Sequence, residues 1–125
     1  MMINILFVGL GGFIGASLRY LAGNIFSFSS DFPFVTLMIN LLGSFLIGFI
    51  SSVAGNSGYI SKDLQLFLQT GICGGFTTFS TFSLETVNLI ECGRVVFAGL
   101  YVLSSVILCI VGVLAGKYVA GLIVN

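Results

Sequence analysis

Residues 74–85 read G-G-F-T-T-F-S-T-F-S-L-E, and they hold the grouping in this chain best able to do chemistry. Phe79 and Phe82 are three apart, so a helix puts both rings on one face, with Ser80 and Thr81 between them and Glu85 one turn beyond. A ring turned edge-on offers the positive rim of its quadrupole to an anion. Two other runs carry polar groups at helical spacing. Thr36, Asn40, Gly43 and Ser44 fall on one face at intervals of four, three and one, and Tyr101, Ser105 and Cys109 repeat at i, i+4 and i+8 with Ser104 beside them. Together they supply enough hydroxyls and amides to line a narrow track without fixed charge, which replaces part of an anion's hydration shell without trapping it. Each also has a plain reading: rings fill cores, and Asn or Ser joins helices by hydrogen bonds in a bilayer.

The elements that position these groups follow from the medium. The 125 residues suffice for one domain, and 58% of them are hydrophobic while 6% are charged. A soluble chain carries about 25% charged residues on its surface, so four Lys/Arg and four Asp/Glu cannot clothe one of this size. The absence of histidine and a net charge of zero leave little stock for acid–base catalysis and no footprint for nucleic acid, and the chain is not expected to be an enzyme. Cys73, Cys92 and Cys109 are odd in number and form no C-x-x-C, so they act as small apolar residues.

A crossing needs about 20 apolar residues, and the chain offers four: about 3–25, 34–53, 64–90 and 95–119, forming a single all-α membrane domain over residues 1–125. Pro33 suits the first turn of the second helix, and Ser61 of S-K-D-L is a plausible cap for the third. The third crossing is interrupted, because Gly71, Gly74 and Gly75 followed by Thr77 and Thr78 make poor helix interior, and freed backbone groups in a bilayer need partners. The N-terminal G-L-G-G-F-I-G-A imitates a dinucleotide fingerprint but has the wrong spacing and no strand before it; Gly11 and Gly15, with Gly12 and Ala16, read instead as a close-packing stripe. Arg19 and Arg94 fall on one side of the membrane and Lys62 and Lys117 on the other, so orientation is left to a bias from elsewhere or to insertion both ways.

The run G-G-F-T-T-F-S-T-F-S-x-E, with G-G-F-I-G-A-S-L-R-Y at the start and T-L-M-I-N-L-L-G-S-F in the second crossing, closely resembles the small bacterial fluoride-exporter channels of the Fluc or CrcB family. The resemblance spans essentially the whole chain. It implies an integral protein of the bacterial plasma membrane that passively conducts F⁻, built as an antiparallel dual-topology homodimer with two pores and a structural Na⁺ at the dimer centre. By resemblance, Phe79 and Phe82 line the fluoride path, Asn40 is its pore amide, Tyr101 and Ser105 are its fourth-helix polar positions, and Thr36, Ser80, Thr81 and Glu85 form the polar track. Gly74 and Thr77 would give the Na⁺ their backbone carbonyls. That set of uncharged oxygen ligands suits a hard monovalent cation. Arg19 matches the family's vestibule arginine, although snorkelling to the interface also accounts for it; Cys109 stands where relatives carry a hydroxyl. Two readings of other classes remain beside this one: a non-conducting membrane scaffold, and a proton-coupled exchanger using Glu85 as its lone intramembrane carboxyl.

Overall fold

The computed structural model describes residues 1–56 and 58–124, which are all-helical with no strand among them. Helix α1 (Met2–Ile25) runs through the uninterrupted apolar N-terminus, and α2 (Phe34–Gly55) starts directly after Pro33. Proline is thus the N-cap of α2, one position before its first turn, where its missing N–H costs no helical bond. Ser61 caps α3 (Lys62–Gln65), its hydroxyl accepting from the Leu64 N–H at 3.2 Å. The chain continues as a π-helix (Leu66–Cys73) and a short α4 (Gly74–Phe76), becomes extended at Thr77 and Thr78, and resumes as α5 (Phe79–Glu91). After a turn at Gly93, whose φ of 77° suits glycine, α6 (Val95–Val124) runs to the end of the described chain.

Helices α1, α2 and α6 are each long and apolar enough to cross a membrane. The last extends five residues past the expected 119, to Val124, about 45 Å in all at 1.5 Å per residue. The expected third crossing at 64–90 is represented by two shorter halves, 62–76 and 79–91, on either side of Thr77 and Thr78. Its interruption falls where the glycine-threonine run places it.

Small residues set the packing. A Cβ at Gly75 would lie 2.6 Å from the Gly12 carbonyl, and one at Gly11 would lie 2.8 Å from the Gly71 Cα. The N-terminal glycines are therefore a docking seam for the first half-segment, as their spacing predicts. A second seam joins α2 to α6, where a Cβ at Gly116 would meet the Phe49 N–H at 2.8 Å and one at Gly48 would meet the Val113 backbone. The aromatic and aliphatic core is small: Leu37, Phe82, Leu89, Ala98 and Tyr101 are buried, with Phe32 and Val102 against them. Most other large apolar side chains face outward, Phe13 and Val96 among them. An outer surface of this kind belongs in lipid.

Candidate functional site around the helix break

Interrupting a helix at Thr77 and Thr78 orphans backbone groups on both sides, and each side has its own remedy. At the end of the first half, the Thr77 N–H and hydroxyl both donate to the Cys73 carbonyl, at 3.0 and 2.9 Å. Arg19 reaches from α1 and donates Nε–H to the Gly75 carbonyl at 3.1 Å. Its guanidinium thus sits at the negative end of the half-helix, which a cation stabilises. At the start of the second half, the Thr78 hydroxyl accepts from the Thr81 N–H at 3.1 Å, capping α5. Asn40 of α2 then completes the break: its Oδ1 accepts from the Thr78 N–H at 2.8 Å, while its Nδ2 donates to the Thr78 carbonyl at 3.1 Å. One side-chain amide does here what a neighbouring strand does in a sheet.

A second cluster lies one turn further along α5. Glu85 accepts from the Thr36 hydroxyl of α2 through Oε1 and from the Tyr101 hydroxyl of α6 through Oε2, each at 2.7 Å. These two short bonds tie three helices to one carboxyl group. Tyr101 is fully buried, and its ring lies 5.0 Å from that of Phe82 at a tilt of 57°, while Phe82 lies 5.4 Å from Phe79 at a tilt of 49°. The i, i+3 pair does meet on one face, but Phe82 is buried there while Phe79 remains 79% exposed.

Beside these rings runs an open groove of about 460 Å³, lined by Asn40, Ser44, Phe79, Phe82, Ser105 and Cys109 among others. One of its polar residues, Ser105, is buried, and its Oγ has no hydrogen-bond partner among the described residues. Leaving a hydroxyl buried and unmet costs about 1–3 kcal/mol. A second cavity, of about 370 Å³, lies beside Arg19 and is lined by Thr36, Thr78, Thr81 and Glu85.

Nearly every predicted position therefore gathers near the break. Asn40, Phe79, Phe82, Ser105 and Cys109 share the groove; Thr36, Thr81 and Glu85 share the Arg19 cavity, with Tyr101 bonded to Glu85. Ser80 faces outward, its hydroxyl 3.4 Å from that of Thr78. The Gly74 and Thr77 carbonyls take part in none of the side-chain or inter-element hydrogen bonds among the described residues. Arg19 is more than a snorkelling anchor, since it bonds the carbonyl end of the break. Sequence reasoning missed Thr78 as the second half's cap; a hydroxyl residue directly before a resumed helix is the signal that finds it.

An outward-apolar helical chain with three helices long enough to cross a bilayer is an integral membrane protein. It belongs to the CrcB family: the family model described as "CrcB-like protein, Camphor Resistance (CrcB)" matches residues 6–117. Among similar proteins, the "Fluoride-specific ion channel FluC" of Ruminiclostridium cellulolyticum is 50% identical over 121 residues, covering 95% of this chain and 93% of its own. Those of Chlorobaculum tepidum and Clostridium perfringens, carrying the same description, are 52% identical over 103 residues and 54% over 93, with 82% and 72% of each chain covered.

Proposed function

We propose that this chain is a fluoride-selective channel that passively conducts F⁻ out of cells, and that it is not an enzyme. The relatives' description as fluoride-specific channels supports the ion. The observation that carries the reading in this chain is the unpartnered, buried Ser105 hydroxyl at the wall of a groove edged by Phe79 and Phe82. A dehydrated anion there meets an O–H donor, ring edges and the Asn40 amide, and no fixed positive charge that would hold it. Purified protein in liposomes tests this: fluoride efflux with chloride retained supports the channel, absence of flux leaves a scaffold, and dependence on a proton gradient leaves a coupled exchanger.

Residues 62–76 and 79–91 together form the third, discontinuous crossing, 28 helical residues where a crossing needs about 20. The working unit is an antiparallel homodimer in the bacterial plasma membrane. Two features support it: the two-against-two division of basic residues, which makes both insertions nearly equal in free energy, and the exposed Phe79 beside a groove that a second copy would close. The Gly74 and Thr77 carbonyls, uncommitted at the break, fit a structural Na⁺ shared between the two copies, where the ion would add positive charge near the anion paths and join the breaks. Two or three lysines added to the 55–62 joint bias insertion and lower activity, and an oppositely biased copy restores it; activity insensitive to that bias contradicts dual topology.

A further inference from the structure

The polar track of the channel reading includes Glu85, which also borders a cavity beyond the groove and the Arg19 cavity. Thr78 lines both the groove at Ser105 and the cavity beside Arg19, and Glu85 lines both that cavity and a third, of about 490 Å³. The third cavity is bounded by Asp31, Asn88, Cys92 and Arg94, so it opens between the α1–α2 joint and the α5–α6 turn. Neighbouring cavities therefore share a wall, at Thr78 between the groove and the Arg19 cavity and at Glu85 between that cavity and the one at the joints.

At this last opening Arg94 and Asp31 form an ion pair, with side chains 41% and 63% exposed. Both are carried on fixed backbone. The Arg94 N–H donates to the Leu89 carbonyl at 2.8 Å and its own carbonyl accepts from Ala98 at 3.0 Å, closing the turn at Gly93. Asp31 precedes Phe32, whose ring wedges edge-on against Tyr101 at 5.5 Å and against Phe97 at 6.3 Å. Glu91, the other nearby carboxylate in sequence, is exposed and makes no ion pair among the described residues.

We propose that Arg94 is the anion-gathering residue at the mouth of the Glu85 cavity, and that Asp31 holds it there while cancelling part of its field. The inference rests on the channel reading above and adds a residue to it. Glu85 places a carboxylate in the middle of an anion's route, and Arg19 on one flank and Arg94 on the other offset its repulsion. Low-dielectric walls focus the field of a charge at a cavity mouth and raise the local concentration of its counter-ion. A solvated ion pair is held weakly, so an arriving anion can compete with Asp31 for the guanidinium.

The experiment is initial fluoride efflux from liposomes containing the purified protein, at fluoride concentrations where the rate is proportional to concentration. It is run at low ionic strength and again at high concentrations of an impermeant salt. Arg94→Gln slows efflux about three- to tenfold at low ionic strength and Asp31→Asn speeds it by a similar factor, the range of a modest steering effect. The double variant stays near the wild type, and all four proteins converge at high salt because screening removes the field. Single variants that match the wild type at low salt overturn the proposal. So do variants that both slow efflux by the same factor at either salt, since the pair is then only a tie between joints. A wild type that carries no fluoride defeats the channel reading itself, which the salt series distinguishes from failure at the mouth.

Discussion

The two halves of the broken segment are held in opposite ways. Residues 62–76 lie against α1 backbone to backbone, through Gly11, Gly12, Gly15, Gly71 and Gly75, and the one side-chain hydrogen bond from α1 is that of Arg19 to the Gly75 carbonyl. Residues 79–91 are held by Phe82 and Leu89 in the apolar core and by side-chain hydrogen bonds: Asn40 to Thr78 just before α5, and Thr36 and Tyr101 to Glu85 within it. The first half has no slack, because a backbone cannot rotate away from an added methyl as a side chain can. The second half is positioned by groups that also line the cavities. Rigid packing thus fixes where the helix breaks, and hydrogen bonding determines what the break presents.

The comparison is broken most severely from the packed side. Gly75→Val forces a side chain into the Gly12 carbonyl and destabilises by more than the 1–3 kcal/mol usual for overpacking, since the obstruction is main chain. The expected outcome is loss of the folded species by size-exclusion chromatography, and with it all flux. Asn40→Ala comes next: it leaves the Thr78 N–H and carbonyl without their partner, costs about 3 kcal/mol, and shows as a lower thermal midpoint with reduced flux. Tyr101→Phe removes one donor to Glu85, about 2 kcal/mol, in a protein that still folds. Phe79→Ile has the smallest effect on stability, because the ring is mostly exposed in the single chain, yet it lowers fluoride efflux at least about tenfold by removing a ring edge. A Phe79→Ile protein with unchanged efflux means that the ring only packs.

Much of this arrangement is legible in sequence for a definite reason. The long apolar runs, the glycine stripe of α1 and the Gly-Gly-x-Thr-Thr interruption are local signals, and their physical consequences are local too. Thr36, Asn40 and Ser44 share a face because they share a helix, so their convergence on the break needs only that α2 pack beside it. What the sequence does not show is pairing across distance. Asn40 finds Thr78 across 38 positions and Arg19 finds Gly75 across 56, and nothing near either residue names its partner. The ion pair of Asp31 with Arg94 is of the same kind, bringing the first and third joints together. The π-helical stretch Leu66–Cys73 has no local signature either; its register suits the close approach of Phe67 and Gly71 to Gly11. The one-position difference at Pro33 and the longer α6 are matters of where ends fray and caps fall.

The central claim is that the second half of the break presents an anion path, with Ser105 as a donor kept free for the ion. Ser105→Ala tests it most directly, because the hydroxyl makes no hydrogen bond among the described residues and its removal takes none from the fold. The measurement is fluoride efflux per folded protein in liposomes, alongside the thermal midpoint. The account predicts a midpoint equal to or slightly above that of the wild type and efflux about tenfold slower, the loss of roughly one hydrogen bond to a charged group. Efflux at the wild-type rate, with the protein equally stable, contradicts it.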